Sequence, residues 1–459
     1  MHRRLSWIGC SGLASLGLLC FAACSKNNPV PPQPAADESD ESRPGSEPEE
    51  VEEDDGPLTL EDAGIDSGRD AGPALTPIPS KIRYVVVIVK ENHSFDNYFS
   101  GFPGATSATT ATLSTGAKRK LAPGILPDDI CHSLNCGLRS YADGKMNGFD
   151  LSSVPEKKFL PFLIYDEPQI PNYWTYAKNF VLADHHFASS HGPSARGHIT
   201  YWAAQPLVTK NPDCSLPDGG ECQGYGCDSP QTWKADLYSK DGCSVSEGKV
   251  CFDVPVLVDH LPTGFTWRAY ARAKFASLFK SIVKDPNYKR HLRKGSSLFG
   301  DLKNAPVPNL IFYHASGPGS EHPPQHPCTG ENESVEIINA LMKTPEWKEM
   351  AIILTYDDTG GFYDSVVPPT DVCPNGKIFG RGFRLPLTII SPYAKKGFVL
   401  KAQTEQASVP KLIEELWGMT YMTARDPRAR DGVAGSLMGA FDFNQPPRPP
   451  LLLTTRTCK

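Results

Sequence analysis

The sequence has 459 residues, of which 39% are hydrophobic and 21% charged, and a net charge of -6. That is enough chain for one large domain or two ordinary ones. Past the N-terminus no apolar run approaches the length of a membrane span, which excludes a polytopic membrane protein. The near balance of 46 basic and 52 acidic residues gives no nucleic-acid signature, and the composition is neither collagen-like nor that of a wholly disordered chain.

Arg3-Arg4 followed by an apolar stretch from Leu13 to Ala23 has the form of a secretory signal. It ends in Phe21-Ala22-Ala23-Cys24, small residues directly before a cysteine, which resembles a bacterial lipobox with Cys24 as the lipidated residue. Ser25 fits outer-membrane sorting in a Gram-negative cell. Residues 1–24 are therefore expected to be a lipoprotein signal. The expected product is an exported outer-membrane lipoprotein that faces the periplasm or the cell surface. Its contact with the membrane would run through the N-terminal lipid.

Residues 25–78 hold 15 acidic side chains against Lys26, Arg43 and Arg69, are rich in Pro, Ser and Gly, and lack aromatics. Such a segment cannot bury enough apolar surface to offset its chain entropy, and like charges extend it. It is expected to be a disordered tether. Residues 79–459 are left with a charge of about +4, which suits an anionic substrate.

Ten cysteines remain beyond Cys10, Cys20 and Cys24, an even number in an exported chain, which points to disulfides. The run from Cys214 to Cys251 lies in a Gly/Asp/Ser-rich stretch and is expected to be a stapled loop. A zinc site is the rival reading, although paired Cys-x-x-Cys units are lacking.

From Lys81 the pattern changes. Short β-branched runs at 83–89, 309–313, 351–356 and 387–390 predict strands buried on both faces. Apolar residues at near-helical spacing predict helices over 334–342 and 409–417, the second with Pro410 in its first turn. Alternating strands and helices predict an α/β domain over 79–445, with a mainly parallel central sheet covered by helices on both faces. Long loop insertions interrupt it at 101–136 and in the cysteine-rich stretch. Residues 446–459 are Pro-rich and expected to be an irregular tail.

Two strand ends carry unusual polar clusters, and ligands of open α/β sheets bind at such ends. After the first strand come Glu91-Asn92-His93-Ser94-Phe95-Asp96. Glu91 and Asn92 offer hard oxygen ligands for a divalent cation, or Asn92 or Ser94 caps a helix. After the strand at 351–356 come Asp357-Asp358-Thr359-Gly360-Gly361-Phe362. Adjacent carboxylates repel unless a cation compensates, and the glycine pair permits close backbone approach; an ordinary acidic turn is the alternative. Ser190 to His198 contains Ser194 on a Gly/Pro turn with Arg196 and His198 nearby, either an exposed loop or a nucleophile site. His132 and His322, the latter fixed by Pro323, are weak signals alone.

Together these segments resemble the bacterial phosphoesterase family that includes non-specific phospholipases C and acid phosphatases. The resemblance spans most of residues 80–440. Its segments here, in order, are Glu91 to Asp96; His132 with Gly144-Lys145-Met146-Asn147-Gly148-Phe149; Gly192-Pro193-Ser194; Glu321-His322-Pro323-Pro324; and Asp357 to Phe362. The resemblance implies an alkaline-phosphatase-like fold and one divalent metal ion (Ca, Mg, Mn or Zn) held at Glu91, Asn92, Asp357 and Asp358. It implies Ser194 as nucleophile, with a phosphoserine intermediate. It also implies His132 and His322 beside the phosphoryl group and places His198 where the family has arginine or histidine; His198 and Arg196, both close to Ser194 in sequence, are the expected substrate contacts.

Five positions in four segments depart from the family pattern. His93 replaces arginine, Ser194 stands where phospholipases C more often carry threonine, Arg196-Gly197 replaces Pro-Asn, and Ser365 replaces a histidine. The expected activity is metal-dependent hydrolysis of a phospholipid or of a small phosphate ester, with phospholipase C favoured over a broad acid phosphatase. A sulfatase lacks support, because Ser194-Ala195-Arg196 does not match Ser/Cys-x-Pro-x-Arg. The alternative of another class is an inactive surface-anchored binding protein.

Overall fold

The computed structural model describes residues 79–214, 223–239, 244–372 and 378–458. The signal segment with Cys24, the tether over 25–78, and Cys222, Cys243 and Cys373 lie outside them.

Eight strands form the main sheet: β1 (Tyr84–Lys90), β2 (Val181–Ala183), β3 (Trp267–Ala271), β4 (Leu292–Arg293), β5 (Leu310–His314), β6 (Met350–Tyr356), β7 (Leu387–Ile390) and β8 (Phe398–Leu400). Their order is β4-β3-β5-β1-β6-β7-β2-β8. Val85 to Val89 are fully buried, because a strand that is β-branched on both faces has no side to give to water. β1 therefore lies in the middle, parallel to β5 and β6. Only β7 runs against the rest, antiparallel to β6 and β2. The link from β6 to β7 has no helix among its described residues, so it supplies no crossover and the chain reverses. The mainly parallel sheet expected from the sequence is thus present.

The helices that bear on the site are α1 (Phe95–Phe99), α2 (Leu134–Tyr141), α3 (Pro171–Asn179), α4 (Ser194–Ala203), α5 (Pro327–Met342) and α6 (Ser408–Trp417). α5 begins seven residues before the expected 334. Its first turns carry Cys328, Glu331 and Asn332, which bind the C-terminal segment rather than the sheet, so no apolar period marks them. That segment has irregular backbone but is pinned. Asn332 exchanges two hydrogen bonds with the backbone of Arg456, Asn339 does the same with Leu453, and Cys328 is bridged to Cys458.

The insertions are stapled by Cys131–Cys136 and Cys227–Cys251. Cys214 is also in a disulfide, so none of the described cysteines of this cluster, Cys214, Cys227 and Cys251, has a thiolate to offer zinc.

Candidate active site

Strand register assembles the site. Lys90 on β1 pairs with Tyr356 on β6, and Val89 pairs with His314 on β5. Glu91-Asn92, Asp357-Asp358 and His314 therefore sit side by side at the carboxyl edge of the sheet. Asn92 takes φ 63°, a left-handed conformation that asparagine tolerates better than most residues. Ser94, not Asn92, caps α1, accepting from Asn97 N at 3.2 Å. Asn92 is thus free for the other role.

All four expected ligands are buried. Asp357 Oδ1 accepts from the backbone N–H groups of Asn92 (3.1 Å) and Asp358 (2.6 Å). Asp358 Oδ1 accepts from Gly360 N at 2.7 Å. Glu91 Oε2 and Asp357 Oδ2 are left buried with no hydrogen-bond partner. Burial, then the charge of Glu91, raises the Asp357 carboxyl. Burial, then Asp357, holds Asp358 well above the usual carboxylate range. A cluster of dry carboxylate oxygens with one amide oxygen fits a hard divalent cation, which would supply the missing charge. Gly360 and Gly361, at φ 57° and 74°, let the loop close: a Cβ there would lie 2.3 Å from Asn92 O and 2.6 Å from Cys131 O.

Ser194 is the first residue of α4 and is buried, so the exposed-loop alternative does not hold. Its Oγ lies 3.2 Å from Asp358 Oδ2 and 3.4 Å from Asn92 Oδ1. The partial positive charge of the helix N-terminus favours a developing alkoxide there.

His132 and His322 face each other with ring centroids 5.6 Å apart. Their Nδ1 atoms lie 2.7 Å from Ile130 O and 2.8 Å from Pro323 O, which places the proton on Nδ1 and leaves Nε2 for the site. Burial opposes charge on His132, but Asp129 and then Asp358 overcome it and raise the ring to about 9. The His322 loop is held from below by Glu321, whose buried carboxylate accepts from Tyr98, Tyr173 and Tyr356 and pairs with Lys90. His93, in place of the family's arginine, reaches Glu321 O at 3.1 Å and stacks on Phe362. It thereby joins three of the motif loops. Ser365, another of the departures, bonds through its backbone N–H to Asp96.

A cleft lined by His132, Ser190, His191, Asp358 and Phe383 opens beside the carboxylates. Arg196 is buried two residues after Ser194. It reaches Tyr238 through Nη2, while Nε and Nη1 have no partner. His198, expected to contact substrate, lies behind the carboxylates. Its Nε2 is 3.4 Å from both Glu91 Oε1 and Asp357 Oδ2, and its Nδ1 is 2.7 Å from His314 Nδ1. Glu91, His198 and Asp357 offer ligand atoms within 4.8 Å of one another.

Three further residues were not singled out from sequence. Arg272 pairs with Glu91, His314 meets His198, and Trp202 donates to His314. Burial alone would raise Glu91, but Arg272 and the His198 hydrogen bond hold it at about 2. The polar ending of the buried run Leu310–His314 was a legible signal for His314. Arg272 and Trp202 had none.

Among solved structures, a protein of the alkaline phosphatase superfamily from Vibrio parahaemolyticus aligns over 76% of this chain and 72% of its own, at 10% identity and a TM-score of 0.35. Non-specific phospholipase C6 of Arabidopsis thaliana is 25% identical over 398 residues, 76% of this chain and 70% of that protein. Phospholipase C B of Mycobacterium tuberculosis is 24% identical over 456 residues, 84% of this chain and 82% of that protein. The family model described as Phosphoesterase family matches residues 82–420, which contain every motif and both strand ends of the site. The chain therefore belongs to the phosphoesterase family and is a phosphoric ester hydrolase.

Proposed function

We propose that this hydrolase is a metal-dependent phosphodiesterase of the phospholipase C type, which releases the phosphorylated headgroup of a phospholipid through Ser194. The observation that carries this reading is the placement of Ser194 Oγ, at a helix N-terminus and within reach of Asp358 and Asn92. The relatives named phospholipase C support the lipid substrate.

A divalent cation at Glu91, Asn92, Asp357 and Asp358, when bound, supplies Lewis acidity to the serine hydroxyl and a phosphate oxygen. Asp358 Oδ2 accepts from the Ser194 hydroxyl and orients it. Ser194 Oγ passes its proton to Asp358 Oδ2 and attacks phosphorus as the bond to the glycerol oxygen breaks, and the departing oxygen takes a proton from the His132 and His322 side. Water then cleaves the bond between Ser194 Oγ and phosphorus, releases the headgroup phosphate and restores the hydroxyl. Positioning and electrostatics carry most of the rate. The Phe21-Ala22-Ala23-Cys24 stretch supports export and attachment to the outer membrane by lipid at Cys24.

One observation favours a second reading, a broad phosphomonoesterase. The unpartnered Nε and Nη1 of Arg196 suit the dianionic phosphate of a monoester better than the single charge of a diester. Hydrolysis of phosphatidylcholine and of a simple phosphate monoester, each with and without chelator, separates the two. Phosphocholine release abolished by chelator supports the phospholipase C. Cleavage of the monoester alone transfers the enzyme to the phosphatase branch.

A further inference from the structure

His132 and His322 face the same space but are held in different ways. The His322 loop rests on Glu321, which is fully buried and held by three tyrosines and Lys90. The His132 loop has no buried polar anchor of this kind. Of residues 131–136 only Cys136 is buried; the others are half-buried or exposed. A ring on so open a loop keeps one position only if something else restrains the backbone.

That restraint is the Cys131–Cys136 disulfide, which joins residues 5 apart in sequence with His132 between them. Both of its ends dock on the site. At Cys131 the backbone presses on the glycine pair that follows Asp357-Asp358. A Cβ on Gly361 would lie 2.6 Å from Cys131 O and 2.8 Å from Ile130 Cγ2, and Ile130 packs with Leu126 and Phe362. At Cys136 the first turn of α2 begins, where Ser133 Oγ accepts from Cys136 N at 3.4 Å. A Cβ on Gly137 would lie 3.0 Å from His191 Cβ, so this turn sits against the loop that leads into Ser194.

The bridge thus ties the carboxylate loop to the nucleophile loop, and His132 is strung between them. Closing so short a loop removes most of the freedom of the residues inside it. Nδ1 of the ring lies 2.7 Å from Ile130 O, the carbonyl directly before Cys131, and Nε2 lies 3.4 Å from Asn92 Nδ2. The ring therefore takes its direction from the backbone that the bridge holds.

We infer that Cys131 and Cys136 are a positioning pair for His132, whose disulfide keeps the imidazole where it meets the departing oxygen. The inference rests on the reading of His132 as a proton donor in the proposed mechanism. A displacement of about 1 Å in a positioned group costs up to about a hundredfold in rate.

The test measures kcat of the full chain on two esters of one phosphate group. Nitrophenyl phosphorylcholine has a leaving oxygen that needs no proton; short-chain phosphatidylcholine has one that does. Nitrophenyl phosphate and glycerol phosphate serve if only monoesters are cleaved. Cys131→Ala with Cys136→Ala should lower kcat on the alkyl ester by about tenfold or more, change kcat on the nitrophenyl ester by less than about threefold, and leave KM unchanged. The retained nitrophenyl turnover also reports a folded protein. In a His132→Ala background the same two substitutions should cost less than about twofold, because the ring they act through is gone. If the double variant does not fold, a dithiol can open the bridge in the native enzyme; it closes to its own disulfide as both sulfurs become thiols, and alkylation located at Cys131 and Cys136 validates the same comparison. No loss on the alkyl ester, or a loss repeated in full in the His132→Ala background, overturns the positioning pair. A His132→Ala loss that is equal on both esters removes the proton-donor role; the pair then stands if the bridge and His132 losses do not add, and falls if they do.

Discussion

Trp202 Nε1 donates to His314 Nε2 at 3.2 Å, and this bond fixes proton positions one residue further in, at the carboxylate cluster. An indole N–H can only donate, so His314 Nε2 carries no proton and Nδ1 does. The 2.7 Å contact between the two Nδ1 atoms is then a donation from His314 to His198. His198 is left with its proton on Nε2, facing Glu91 and Asp357. Held this way, its N–H would steady those carboxylates. Nitrogen-15 spectra of the histidine rings should show His314 protonated at Nδ1 and His198 at Nε2, with and without added metal. Trp202→Phe should release the lock, mix the tautomers and weaken metal binding by about tenfold. A His198 ring protonated at Nδ1 contradicts the relay.

As a proposed metal ligand, Asp357 would set stability against metal binding. Burial and Glu91 both disfavour its charge in the metal-free protein. Asp357→Asn should therefore raise the melting temperature of chelator-treated protein by roughly 2–4 °C. The same change removes a charged ligand and should abolish stoichiometric uptake of a divalent cation, followed by metal analysis and titration calorimetry. Unchanged uptake would remove Asp357 from the ligand set.

Glu414 on α6 gives the fold a pH dependence away from the site. Burial, then Asp431, raises its carboxyl from 4.5 to about 9. The unfolded chain loses this proton near 4.5 while the folded chain keeps it, so the unfolded state binds fewer protons in between and stability falls as pH rises. Glu414→Gln keeps the neutral shape and removes the titration. Denaturant unfolding between pH 4 and 9 should show a flatter profile for the variant, with its advantage growing toward alkaline pH and absent at the acid end. Parallel profiles would contradict the assignment.

The central strands were legible because Val85 to Val89 and Ala351 to Tyr356 are apolar on both faces, a pattern that few other structures require. β2, β4 and β8 were not, since three residues or fewer carry no period. β3 was masked by Arg268, whose buried guanidinium donates to Arg290 O. At the site, Glu91-Asn92 and Asp357-Asp358 could be found because both pairs directly follow a readable strand. The position of His198 could not. It lies one helical turn after Ser194, and whether that turn faces the cleft or the carboxylates depends on how α4 packs over β6. His314 and Arg272 join the site only through the register of β3, β5 and β1, partners far apart in sequence. The irregular backbone of the C-terminal segment was legible from its prolines, but its pinning was not, because asparagine-to-backbone pairs leave no apolar pattern.

The central claim is that Ser194 becomes covalently bound to phosphorus. Acid quenching of the enzyme during turnover, followed by mass spectrometry of the peptide containing Ser194, tests it most directly. The mechanism predicts a phosphoryl adduct on Ser194. In Ser194→Ala the adduct should be absent and turnover should fall by about a thousandfold or more, with the fold intact. Near wild-type turnover in Ser194→Ala, or an adduct on another residue, would contradict it.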